Sequence, residues 1–438
     1  MAGESTSFDG QEHGGKRLSE KIVGMIENLD LLPASSHKHC CIYKVSDHIR
    51  KSNEEAYTPQ VISIGPFHRN KSRKLQKMED FKLRYLKSFT DRAETKLEDI
   101  VSTIKGAEES VRECYSETIP LGSDEFVEMI LVDASFIIEY FWRNKTKGNW
   151  TDYDQEILKP WLCNRMQMDL ILLENQLPFF IIEIIYDIAF PSRSKEGHPF
   201  IELSFCQFEY YNVQNFRHSE SEKIFHFTDL VRNFCMPPPE RRPQRGYRNM
   251  REMYSAAQLD KVGLKFKKRE SSNINWSPLE LELKYADGVL EIPPFQLDSS
   301  TEIYARNLVA FEECHYRSDA YITDYYILLS MLIKTVKDID VLVREQIIHN
   351  WLDGVVATSM INKLSGEKLF YFQMNSDYHG MAEKLNKFYN NQSKPIITFR
   401  RVLFRSPLTG ATTISASVML ILTFVQCVCY LLSLKSVF

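Results

Sequence analysis

Four polar side chains stand out because their neighbours are apolar: Asp133, Glu139, Glu174 and Asn175. Carboxylates at one pocket could share general acid and general base duties, and an amide could orient a substrate. A carboxylate inside an apolar helix must also be paired or neutralised, whatever its task. Asp133 poses that problem most sharply, on the apolar side of a helix whose thin polar strip is Glu128, Ser135 and Glu139. Glu174 and Asn175 sit just before Pro178, where a helix must break. Asn175 is placed there to donate to the carbonyls left at the end of the first helix. Glu174 is placed to accept from the free N–H groups of the next. These structural duties are the favoured reading. Catalysis would require the four groups to converge on an open cleft.

Other chemistry has less support. His37, His39, Cys40 and Cys41 can all bind metal, but they lack C-x₂-C or H-x₃-H spacing. With 9 cysteines and 11 histidines, a Cys–His catalytic pair has no preferred candidate. G-x-S-x-G, G-x-x-x-x-G-K-S/T, G-x-G-x-x-G and H-E-x-x-H are absent. No catalytic residue, metal or cofactor is therefore assigned, and no binding residue is named.

The elements that must hold these residues read as mainly α-helical with a few short β-strands and hairpins. Cys41–Val45 and Val61–Ile64 read as strands. A long charged helix spans Leu75–Ile104, and the next starts at Ser123 and runs to about Trp142. Met166–Leu177 and Phe179–Phe190 are apolar helices on either side of the Pro178 break. The proline- and arginine-rich stretch Met236–Tyr247 reads as a loop and a lobe boundary. Asp287-Gly288 joins a hairpin between Leu281–Tyr285 and Val289–Ile292. Ser299-x-x-Glu302 opens a helix through Tyr316, with Glu302 and Arg306 spaced as an i,i+4 pair. Helices over Ile322–Val336 and Ile339–Trp351 follow.

The chain has 438 residues, 44% hydrophobic and 26% charged, with a net charge of -4. That excludes a disordered chain and gives no bulk-charge reason for a nucleic-acid partner. The scattered cysteines suit reduced thiols in a cytosolic domain. Two stretches are basic, Arg69–Lys96 and Arg241–Arg269. Solvated faces are the favoured reading, and docking on an anionic membrane leaflet the alternative. Residues 1–36 read as a polar, partly disordered segment with a short helix, and 37–400 as the soluble domain. Residues 401–410 read as a basic linker, and 411–434 as a C-terminal single transmembrane helix. The uncharged run Ala411–Leu434 would span about 36 Å as a helix, enough for a bilayer core of about 30 Å. Arg400, Arg401 and Arg405 precede it and only Lys435 follows, which places the large domain in the cytosol. The expected partner is the lipid bilayer through 411–434, with the plasma membrane favoured, alongside an unidentified protein partner.

Several ordered blocks resemble one family. Cys41-Ile-Tyr-Lys-Val45, Arg50, Asn53, Ala56-Tyr57, Pro59 and Val61-Ile-Ser-Ile-Gly-Pro-Phe-His68 form the first. Leu75, Met78-Glu79, Lys82 and Tyr85-Leu86 continue it. Asp133, Phe136-Ile137 and Glu139 form the second, and Leu172-Leu-Glu-Asn-Gln-Leu-Pro-Phe179 the third. Gly288-Val-Leu-Glu-Ile-Pro293 and Arg306-Asn-Leu-Val-Ala-Phe-Glu312 complete the set. These blocks resemble the plant family of domain of unknown function 247, over about residues 40–430. Ser46 stands where that family usually has proline, and Gln346 where it usually has glycine, so both backbone turns need inspection. The resemblance implies a plant, membrane-associated protein with no established enzymatic activity and no assigned catalytic residues. Some members lie at grass self-incompatibility loci, which suggests recognition as one role. The expected function is a membrane-anchored, non-enzymatic recognition or interaction protein. The alternative is an enzyme with a pocket near Asp133, Glu139, Glu174 and Asn175.

Overall fold

The computed structural model describes residues 17–24, 39–69, 73–146, 150–212, 214–217, 223–245, 252–269, 280–365, 373–403, 415–416 and 418–428. The chain is mainly helical with a few short strands, as expected. It divides into two compact units. Unit 1 comprises Met1–Met236 and Ser299–Ala320; unit 2 comprises Pro237–Asp298 and Tyr321–Phe438.

In unit 1, helices α1 (Arg73–Arg92), α2 (Leu97–Arg112), α5 (Phe179–Ala189) and α6 (Phe200–Gln207) pack around α3 (Ser123–Lys145), and α4 is Pro160–Leu170. α3 is apolar nearly all round because it is buried nearly all round. Phe136 and Tyr140 stack within it at 5.6 Å, and Phe141 stacks on Phe200 of α6 at 6.0 Å. The unit closes with α7 (Phe227–Cys235) and α8 (Ser299–Cys314). Ala310 and Phe311 of α8 bury themselves against Val45, Tyr57 and Leu173.

The expected helix over Leu75–Ile104 is in fact α1 and α2. Between them, Glu94 N–H donates to the Ala189 carbonyl at 2.8 Å and Thr95 Oγ1 to the Ile188 carbonyl at 2.6 Å. The break is used to satisfy carbonyls at the end of α5. The expected strands at Cys41–Val45 and Val61–Ile64 do not form; both segments are irregular and join no sheet, and Ile42 makes only an isolated bridge to Tyr115.

In unit 2, β1 (Lys265–Lys268), β2 (Lys284–Ala286) and β3 (Val289–Ile292) form a sheet in the order β1-β3-β2. Asp287 and Gly288, at φ +48° and +77°, make the tight turn between β2 and β3. β4 (Phe295–Leu297) pairs parallel with β5 (Ile348–Asn350). α9 (Tyr321–Leu332) is wholly buried, and α10 (Val336–Arg344), α11 (Gly354–Ser365) and α12 (Ser376–Leu403) follow. The expected helix over Ile339–Trp351 ends at Arg344 and turns into β5.

The expected transmembrane helix is corrected. Among the described residues, no helix is long and apolar enough to cross a membrane. Within 411–434 the described helical residues are 415–416 and 418–428. The longest described run there, 418–428, rises about 16 Å as a helix, short of a hydrocarbon core of about 30 Å. Residues 411–414, 417 and 429–434 lie outside the described residues, as do 1–16, 25–38 and 404–410.

Candidate functional site

Residues 60–65 run through the interior of unit 1 outside any helix or strand, so their N–H and C=O groups need partners from elsewhere. Side chains provide them. Asp169 of α4 accepts from the Gln60, Val61 and Ile62 amides at 2.9, 2.7 and 2.9 Å. Asn175 accepts from the Ile64 amide at 2.7 Å and donates back to the Ile62 carbonyl at 3.0 Å. Asp133 of α3 accepts from the Gly65 amide at 2.8 Å. Lys82 of α1 donates to the Ser63 carbonyl at 2.6 Å and to Asp133 at 2.7 Å. Gly65 takes φ +71°, and a Cβ there would meet the Gln176 carbonyl oxygen at 2.4 Å, so only glycine fits.

Glu174 holds the stretch on either side. It accepts from the Val45 amide at 2.7 Å, from Arg50, and lies 3.0 Å from His68 Nε2. Burial alone would raise its pKa, but the bonds from His68 and Arg50, the Arg50 charge and the Val45 amide hold it below the usual carboxylate range. Asp133 goes the other way: burial pushes it up, and the Lys82 ammonium offsets only part of that. Asp169 is pushed up by burial to about 6 despite its backbone donors.

Asn175 does what its position before Pro178 suggests, donating to the Asp169 carbonyl in the last turn of α4 at 2.9 Å. Glu174 does not accept from the next helix; it reaches back to residues 45–68. Gln176, not among the candidates, does much of the remaining work. Its Nε2 donates to the Leu170 and Leu172 carbonyls at 2.7 and 2.8 Å, and its Oε1 accepts from the Phe227 amide at 3.0 Å.

Glu139 belongs to a different cluster. It pairs with Arg92 and, at 2.7 Å, with Arg143. Arg143 also pairs with Asp154, which accepts from Tyr85 at 2.9 Å. Asp133, Glu174 and Asn175 therefore grip one buried segment, and Glu139 is not with them. A cavity of about 510 Å³ opens in unit 1, and none of the four lines it. Of the basic stretch Arg69–Lys96, Lys82 is buried against Asp133, and the half-buried Arg92 pairs with Glu139.

His37 lies outside the described residues, and no metal-binding group of three or more ligands occurs among those described. Cys40 and Cys41 are buried; the Cys41 amide donates to the Cys114 carbonyl at 3.0 Å.

The chain matches the plant family described as proteins of unknown function, DUF247, over residues 42–422. It is 27% identical over 445 aligned positions to the UPF0481 protein At3g47200 of Arabidopsis thaliana, covering 94% of this chain and 90% of that one. It is 29% identical over 147 positions to the UPF0481 protein At3g02645 of the same plant, covering 32% of this chain and 26% of that one. No solved structure matches. The blocks that grip residues 45–68 fall within the matched span, and the chain belongs to the DUF247 family of plant proteins of unknown function.

Proposed function

We propose that this chain is a non-enzymatic interaction protein that presents its surface to a protein partner. One observation carries the reading: the three carboxylates singled out for acid–base chemistry, Asp133, Glu139 and Glu174, and the amide of Asn175 are buried and hydrogen-bonded to other parts of unit 1. A general acid or base must come within about 3 Å of its substrate, and none of these lines the cavity. The surface of unit 2 suits contact instead. Trp351 is 76% exposed, and Val355 and Val356 are exposed close behind it. Gly354, between them, is packed so closely that a Cβ would meet Val336 at 2.9 Å. An exposed tryptophan beside aliphatic side chains is the composition of an interface anchor.

The test pairs a surface change with a core change. A partner purified with the full-length chain in fixed ratio should be lost with Trp351→Ala/Val355→Ser while thermal stability is kept. Asn175→Ala should instead cost about 1–3 kcal/mol, the usual result of stranding buried polar groups, so expression, stability and function fall together. A stable, well-expressed Asn175→Ala chain that has lost its function would sink the structural role. It would favour the enzyme reading, with a pocket near Asp133, Glu139, Glu174 and Asn175.

A further inference from the structure

We infer that the cavity in unit 1 binds a small aromatic carboxylate. This goes beyond the interaction reading and does not depend on it. The volume, about 510 Å³, falls within the range of about 300–1,000 Å³ typical of small-molecule sites. Its floor is apolar: Ala56, Val61 and Leu162 are buried there, with Met78 beside them. One wall is already fixed, because Asp169 holds the Gln60 and Val61 amides. Little ordering cost then remains for a ligand that packs against it.

The rim identifies the ligand. Trp161 lines the cavity, is 65% exposed and has no ring partner among the described residues. Arg165 follows one helical turn later on α4, so both side chains share a face. Lys77 approaches from α1. Among the described residues neither Arg165 nor Lys77 has a carboxylate within ion-pair distance, although the Arg165 charge acts on the buried Asp169 carboxyl and works to lower its pKa. Of the two carboxylates lining the cavity, Glu302 already holds Arg306 and Asn53, each at 2.8 Å, which leaves Glu55. Cations beside an exposed indole above an apolar floor favour an anionic head on an aromatic body. No glycine lines the cavity among the described residues, so the backbone cradle of a polyphosphate site is missing.

The test is calorimetric titration of the full-length protein with 1-naphthaleneacetate at low salt, with 2-(1-naphthyl)ethanol as the uncharged analogue. The expected result is saturable one-to-one binding of the acid, with the alcohol at least about tenfold weaker. Arg165→Gln and Lys77→Gln should each weaken the acid severalfold, and Trp161→Ala should weaken both probes. All three side chains are exposed, so circular dichroism should match the parent. Lack of saturable binding up to about 1 mM overturns the inference. So does binding that none of the three substitutions alters, or equal affinity for acid and alcohol.

Discussion

His226 shows how one buried residue ties stability to pH. Its Nε2 donates to the Cys41 carbonyl at 2.9 Å, and its Nδ1 accepts from the Asp229 amide at 3.3 Å, the bonding of a neutral imidazole. Burial pulls its pKa down to about 3. Acid therefore protonates the histidine first in the unfolded chain. The stability it contributes is complete above the ordinary histidine pKa of about 6.5 and is lost progressively as pH falls toward 3. Asp169 and Asp229, pushed up by burial to about 6, act in the opposite direction: the folded chain holds their protons more tightly. A difference measurement isolates the histidine. His226→Gln should be less stable than the parent at pH 7, and the gap should shrink by about 2 kcal/mol by pH 5 in urea titrations. A constant gap would show that His226 takes up its proton equally in both states. At this scale the sequence was only partly legible. Asp133 was anomalous on an apolar face, and its need for a partner followed. Its partner escapes that reading: Lys82 lies in a basic stretch that reads as a solvated face, although Leu75, Met78, Lys82, Tyr85 and Phe89 share one helix face and a buried lysine there is as costly as the aspartate. Gln176 stands at the same break as Asn175, but its bond to the Phe227 amide joins residues far apart in sequence, which no local pattern marks.

At the scale of elements, local chemistry was readable and distant pairing was not. The β-branched run Val61–Ile64 reads as a strand but joins no sheet, because its neighbours are side chains far off in sequence, from Lys82 to Asn175, rather than another strand. The two departures from the family pattern behave differently. Ser46 sits at φ -61°, ψ 145°, an angle that proline also takes, so the turn is kept. Gln346 adopts φ +57°. Its amide donates to the Val343 carbonyl and the Ile347 amide to the Leu342 carbonyl, both at 2.9 Å, which is a Schellman close to α10. Glycine normally fills that position, and glutamine there hid the stop, so the helix was read through to Trp351. Gln346→Gly should relieve the left-handed backbone and stabilise the protein by about 1 kcal/mol, net of glycine's own entropy cost. A lower thermal midpoint for this variant would mean that the glutamine side chain makes a contact worth more than the strain.

At the scale of the molecule, unit 1 is discontinuous in sequence: its last helix, α8, arrives after residues 237–298 have contributed to unit 2. The loop Met236–Tyr247 marked the departure in the sequence, but nothing there marked the return. α8 is not peripheral to unit 1. Its Glu312 pairs with the buried Arg232 at 3.1 Å, and its Asn307 bonds the Ala56 carbonyl at 2.7 Å and the Leu173 amide at 3.0 Å. A chain ending at Asp298 keeps the whole first segment of unit 1 and loses all of these contacts. Stranding Arg232 costs about 3–5 kcal/mol, and each large apolar side chain left unburied adds about 1.5–3 kcal/mol. Tyr304, Leu308, Val309 and Phe311 are all buried on α8, so the sum matches or exceeds the roughly 5–15 kcal/mol that holds a typical domain together. The truncated chain should therefore lack a cooperative thermal transition by circular dichroism and expose apolar surface to a hydrophobic dye. A synthetic peptide of residues 299–320 supplied in excess should restore part of the transition, because it returns the missing contacts without the connection. A sharp, reversible transition in the truncated chain alone would show that the first segment folds without α8, and the division of the chain would have to be redrawn.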